Sequence, residues 1–281
     1  MTIGVGVSSL LRVRWNRVLS AGLAGACWAA GVRPLVAQTD YYNTSAGRPL
    51  RIEDAVPLEY RAIELDVAPL RFERSRGTRQ WSLHPETTIG ILPRTQLQLS
   101  VPITYVDRPD NSPRGVSGVE ISALHALNAE TSVPALAIAA DVLLPVGPLG
   151  GDVAYGTVKG LMTRTLRWAR VHANAQYSAG PTVSGPNQAA SRASTGTDIS
   201  RWLAGIAVDK TFPLHSLLVS AESFAERPIA SGAAVAWTAG TGVRYQLTPR
   251  WAMDGGFGRR FTGDARSWYV TLGSAYGLGL R

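Results

Sequence analysis

The chain is almost without cysteine. Its one thiol, Cys27 among 281 residues, falls in the N-terminal leader described below, so the mature chain would hold none. That excludes disulfides and thiolate metal sites. Long apolar runs are missing too. No stretch of about 18 uncharged apolar residues follows the N-terminal segment, which argues against a helical membrane protein. Charge is sparse, at 17% of residues. The formal balance is +8, but Arg12, Arg14, Arg17 and Arg33 precede the expected cleavage point, with no acidic residue among them, leaving about +4 on the mature chain. No basic cluster is interleaved with aromatics, so nothing points to nucleic acid. Paired-carboxylate, phosphate-loop and metal-ligand spacings are absent as well, and no metal or cofactor is expected.

What is present is a period of two. In Thr95-Gln-Leu-Gln-Leu-Ser-Val-Pro-Ile-Thr-Tyr105, Leu97, Leu99, Val101, Ile103 and Tyr105 share one side, and Gln96, Gln98, Ser100, Pro102 and Thr104 share the other. Val119, Ile121 and Ala123 alternate with Glu120 and Ser122, and Leu136, Ile138, Ala140, Val142 and Leu144 alternate with a face that carries Asp141. The mean hydropathy is close to zero, as expected of a wall whose lipid-facing and lumen-facing residues cancel in any window. Strands of about ten residues with alternating short and long links predict a transmembrane β-barrel.

Residues 1–37 read as a signal peptide, with Arg12, Arg14 and Arg17 ahead of an apolar stretch over Val18 to Val32 and a cleavage site at Leu35-Val-Ala37. Ala24-Gly-Ala-Cys27 offers a lipoprotein site as an alternative. Residues 38–58 are polar and irregular and read as a periplasmic N-terminal segment able to tuck into the barrel mouth. Residues 59–281 read as an all-β, closed antiparallel outer-membrane β-barrel of about twelve strands. Tight links are expected near 93, 130, 167, 212 and 248, and longer or more polar ones near 76, 112, 150, 188, 229 and 263, the longest being Ala179 to Asp198. The turn end of such a barrel is periplasmic. Trp81, Tyr105, Tyr155, Tyr177, Trp237, Phe261 and Trp268 fall at loop ends of strands; Tyr60, Trp168, Tyr245, Trp251 and Tyr276 fall at turn ends, giving two interfacial belts. Leu99, Val101, Ile103, Ile138, Val142, Val171, Trp202, Ile206 and Val243 are expected to face lipid.

The opposite faces supply the candidate site. They carry Glu64 and Asp66 on the first strand, His84 and Glu86 on the second, Gln96 and Gln98 on the third, then Glu120, Asp141 and Lys159. Arg170, His172, Arg201, Asp209, Glu222, Arg244, Asp254 and Arg260 continue the set. Charges of both signs suit a lumen that filters solutes by charge and width, or an interior network of ion pairs that keeps the barrel rigid. Glu64 and Asp66 repel each other unless a cation is near, and Arg244 and Arg260 are the nearest inward Arg by strand order. The function expected is an outer-membrane channel or transporter for small solutes, without enzyme activity. A structural or adhesive barrel with a plugged lumen is an alternative. So is an outer-membrane hydrolase, which needs Ser and His on one outward site; of His84, His125, His172 and His215, only His125 falls on the lipid side. The expected partners are outer-membrane lipid, a small-molecule solute and the barrel-assembly machinery.

From Glu59 onward the order of motifs resembles a family of outer-membrane channels named after a phenol meta-cleavage degradation pathway. The matching stretches are Glu64-Leu-Asp66, Leu92-Pro-Arg-Thr-Gln-Leu-Gln-Leu-Ser-Val-Pro-Ile103, Leu143-Leu-Pro-Val-Gly147, and Arg170-Val-His-Ala-Asn-Ala175 ahead of Tyr177. The resemblance implies a barrel of the channel type that takes up small or aromatic molecules. Barrels of this class commonly end in an aromatic residue; here the last residues are Leu280-Arg281, and Tyr276, Leu278 and Leu280 keep the alternation.

Overall fold

Each strand of the computed structural model pairs antiparallel with the next, and the last pairs with the first. Residues 48–67, 70–182, 199–264 and 266–279 are described. The expected signal peptide, Cys27 and most of the 179–198 loop lie outside the described residues. The first four strands each come in two segments: β1 (Ala62–Asp66 and Leu70–Ser75), β2 (Thr78–Leu83 and Glu86–Leu92), β3 (Thr95–Ser100 and Ile103–Asp107) and β4 (Arg114–Val116 and Val119–Ala126). The remaining eight are continuous: β5 (Ala135–Leu144), β6 (Tyr155–Thr165), β7 (Arg170–Ala179), β8 (Ser200–Phe212), β9 (Leu217–Pro228), β10 (Ala236–Thr248), β11 (Trp251–Arg260) and β12 (Ser267–Gly279). Both segments of β1 pair with β12, Ala62 opposite Gly279 and Ser75 opposite Ser267, so a twelve-stranded barrel closes.

The outer surface is apolar. Leu99, Ile103, Ile138, Val142, Ile206 and Val243 are exposed, and Val101, Val171 and Trp202 are half-exposed. A closed sheet with every strand paired and an apolar outer belt meets both demands of hydrocarbon. Ile206, 56% exposed at the centre of β8, gives a direct check. Ile206→Arg is expected to destabilise the barrel by about 2–4 kcal/mol. Thr157→Arg, inward and opposite Asp141, should cost far less. Equal unfolding midpoints for the two variants in detergent would mean that the faces are exchanged.

The segment breaks line up across the wall. They fall at His84-Pro85, Val101-Pro102 and Ser117-Gly118, in line with the interval between Asp66 and Leu70 of β1. Proline brings no N–H to the ladder, and the carbonyls of Pro85 and Pro102 accept instead from Val101 (3.1 Å) and Ser117 (2.9 Å). Pro134 lies in a link. Two of the breaks are also bulges. Asp66 to Leu70 spans four residues, against three in both partners, Ala275 to Leu272 and Glu86 to Leu83. Val116 to Glu120 likewise spans four against Ile103 to Ser100. An extra residue exchanges the faces beyond it. The acidic pair of β1 points inward at even positions, while above the bulge Arg71 and Glu73 are the inward residues.

Two links depart from the expected lengths. The connection at residues 127–134 is longer than the tight turn expected near 130, and the one at Arg76-Gly77 has only two residues. Both of these have positive φ, 24° and 83°, the requirement of a two-residue hairpin turn.

Candidate functional site

Residues 48–58 run inside the barrel rather than beside it. Leu50, Ile52 and Ala55 are 3%, 0% and 1% exposed. Leu50 and Ile52 pack with inward Leu203, Ala207 and Phe224 of β8 and β9, and Ala55 packs with Leu124, Ala126, Ala137, Ala139 and Leu161 of β4 to β6. The wall makes room for the segment with glycine: a Cβ on Gly242 would stand 2.6 Å from Pro49.

The segment's backbone is also met by polar groups of the wall. The N–H groups of Arg51 and Ile52 donate to Glu222 Oε2 at 2.8 and 2.9 Å. The Ala55 N–H donates to Thr163 Oγ1 at 2.9 Å, and that of Leu58 to Gln96 Oε1 at 2.6 Å. Thr271 Oγ1 donates to the Pro49 carbonyl at 3.3 Å. Three ion-pair clusters add charge to this seam. The Arg48 guanidinium joins Asp66 and Asp254. Burial opposes its charge, but the surrounding carboxylates, Asp66 foremost, outweigh that and raise its pKa above the ordinary arginine value. Lys159 Nζ lies 3.0 Å from Glu53 and 2.9 Å from Asp141. Arg170 grips Asp209 through Nε and Nη2 and reaches Asp54 at 3.9 Å.

The buried His172 belongs to the third cluster. Its Nε2 is 2.8 Å from Asp209 Oδ2 and its Nδ1 is 2.9 Å from Thr163 Oγ1. The order Thr-His-Asp is that of a nucleophile relay. Here the Thr163 hydroxyl is 2% exposed and receives the Ala55 N–H, so the relay holds the segment. His125 faces outward, its Nδ1 2.9 Å from Thr95 Oγ1.

Above the segment the lumen widens into a chamber of about 160 Å³. Arg48, Arg51 and Glu53 of the segment form one side. The wall contributes His84, Glu86, Gln98, Glu120, Asp141, Tyr155, Lys159, Gln176 and Arg71. Glu86 and Glu120 stand on either side of Ser100, two strands apart. Arg71 lies over the Tyr269 ring, 3.8 Å from its centroid, and the Tyr269 hydroxyl donates to Glu222 at 3.2 Å.

The candidate residues thus separate by height. Toward the turn end, Gln96, Arg170 and His172 serve the segment. Glu222 does so near mid-height. Asp66 and Asp254 flank Arg48, and Glu64 faces Arg244 Nη2 at 3.7 Å. His84, Glu86, Gln98, Glu120 and Asp141 line the chamber. Toward the loop end, Arg201 donates to the Ser178 carbonyl at 2.9 Å and to Thr182 Oγ1 at 3.1 Å. Arg260 meets Glu226 at 2.9 Å and Glu73 at 3.7 Å, well above Glu64 and Asp66. Glu64 therefore has Arg244, one of the two Arg expected from strand order, whereas the cation on Asp66 is Arg48, which strand order could not supply because it precedes the barrel. Arg71, Glu73 and Glu226 were also missed by sequence reasoning, the first two because the β1 bulge turns them inward.

No family model matches the chain, and no curated protein matches it by sequence. Solved structures do match. The COG4313 outer membrane channel from Pseudomonas putida F1 aligns with a TM-score of 0.56 at 11% identity, covering 80% of this chain and 98% of that one. The KdgM porin (TM-score 0.44, 13% identity, 76% and 98% coverage) and the NanC porin (0.48, 8%, 75% and 98%) are also similar. At this identity the first likeness shows the fold alone: a closed twelve-stranded barrel of the kind found in outer-membrane channels.

Proposed function

We propose that the protein is an outer-membrane channel for small polar or aromatic solutes, narrowed by its own N-terminal segment. The observation that carries this reading is the chamber. It is a partly open space inside a lipid-facing barrel, lined by charges of both signs, with planar groups at Arg71, His84 and Tyr155. A solute entering from the loop end would meet the guanidinium groups of Arg48, Arg51 and Arg71 and the carboxylates of Glu86, Glu120 and Asp141 in one chamber, which would orient a polar solute there. We place the chain with the channel family named after the phenol meta-cleavage pathway on its quoted motifs. In this reading it carries no catalytic chemistry, sits in the cell outer membrane surrounded by lipid, and is inserted by the barrel-assembly machinery. A plugged structural barrel is the second reading, favoured by the apolar and ionic seal along residues 48–58.

Glu64 and Asp66, candidates for the filter by sequence, are engaged by Arg244 and Arg48, so neutralising them would disturb packing first. Glu86 and Glu120 face the chamber. The double variant Glu86→Gln, Glu120→Gln is expected to shift the reversal potential in a salt gradient toward anion preference, with conductance steps still present. An unchanged reversal potential would remove these carboxylates from the ion path. A silent bilayer containing correctly folded wild-type protein would favour the plugged barrel.

A further inference from the structure

The loop end of the barrel carries a second charged feature, on the outside. The pairing registers align Arg259, Trp268, Arg74, Arg79 and Asp107 in one row across β11, β12, β1, β2 and β3. Two residues below, the same registers align Phe257, Val270, Phe72, Trp81 and Tyr105. The rings are packed: Phe72 is 4.4 Å from Trp81 and 5.4 Å from Trp268 between centroids. An aromatic row capped by an arginine row, separated by about 7 Å, is the profile of a bilayer surface, rings at the headgroup boundary and cations at phosphate height.

The arginines also bound a concavity. Arg74, Arg79, Arg108 and Asp107, with Gly77 and Pro109, line a cleft of about 260 Å³. Arg74 is exposed and makes no ion pair with any described residue. The Arg79 pair with Asp107 is long, 3.9 Å, with side chains 58% and 43% exposed, and such a pair contributes little. Arg76, at the hairpin tip beside the cleft, holds a positive φ of 24°, a conformation that favours Gly or Asn.

We infer that this cleft is a binding site for the phosphate of a phosphorylated glycolipid headgroup in the outer leaflet. Guanidinium pairs take phosphate through parallel charge-assisted hydrogen bonds, and the acyl chains of a lipid held there would descend over Phe72 and Trp81. Asp107 is the one acidic residue lining the cleft, and it shares its row there with Arg74 and Arg79. The inference rests on the outer-membrane reading, with the loop end outward.

The test uses the full mature protein in nanodiscs, with diphosphoryl lipid A as probe and native mass spectrometry as readout. Wild type is expected to retain the lipid, the Arg74→Gln, Arg79→Gln double variant to retain it about tenfold less, and the Lys-for-Arg pair to recover part of the loss. Arg94→Gln, at the opposite rim, should change nothing. Equal retention by wild type and the double variant overturns the inference. So does equal retention of dephosphorylated lipid A, which would leave only ring contacts, and so does a preference for phosphatidylglycerol, which would put this rim in the other leaflet. Conductance measured on the same preparations separates the two readings: lipid binding without channels defeats the channel, and channels without lipid binding defeat only the cleft.

Discussion

Arg48→Met is expected to destabilise the barrel by about 3–5 kcal/mol, as removal of one partner from a buried ionic cluster does. Arg48 and Asp66 are 4% and 2% exposed, and Asp254 is 6% exposed. Without the guanidinium, and with Arg244 already facing Glu64, Asp66 and Asp254 lose the cation that bridges them. They must then take up protons or draw in water, and either costs free energy. Thermal unfolding in detergent should show a large fall in midpoint. Adding Asp66→Asn to Arg48→Met removes part of the stranded charge and should recover part of the loss. A midpoint unchanged in the single variant would mean that residues 48–58 do not occupy the lumen in the membrane protein.

The wall of this barrel was legible in the sequence because its period is simple. Strands such as Ala135–Leu144 place Ile138 and Val142 outward and Asp141 inward from alternation alone, and the strand count follows from the links. Two things were not legible. The first is the β1 bulge. One inserted residue is invisible to a period of two once the pattern is interrupted by polar residues, so Arg71 and Glu73 fall on the wrong face if parity is carried through. Pro69 marks where to suspect it. The second is what fills the lumen. Residues 48–58 have no periodicity, and their partners Leu124, Ala137, Ala139, Leu203 and Phe224 face inward though apolar. The signal was there in a weak form: Ala135-Leu-Ala-Ile-Ala-Ala140 is apolar on both faces, which a strand shows when both sides are covered. Alternation says which residues share a face, but only packing says what that face touches. That is why inward residues were identifiable while the split between Gln96, Arg170 and His172, which hold the segment, and Glu86 and Glu120, which face the chamber, was not.

The occupied lumen makes the second large prediction. The segment seals against Leu203, Ala207 and Phe224 on one side and against Leu124, Ala137 and Leu161 on the other, with the chamber above it. Removing residues 38–58 would take away Arg48, Glu53 and Asp54 together with the apolar filling. It would release Lys159 and Arg170 to their remaining partners Asp141 and Asp209. The strands keep their full ladder, including the β1–β12 closure, so the shortened barrel should still form, with a lower unfolding midpoint. The decisive measurement of an occupied lumen is single-channel conductance of the mature chain and of the form lacking residues 38–58, compared in the same planar bilayer and salt. Small steps are expected for the mature chain and steps several-fold larger for the shortened one. Equal conductance in the two proteins, both shown to be folded, would contradict an occupied lumen.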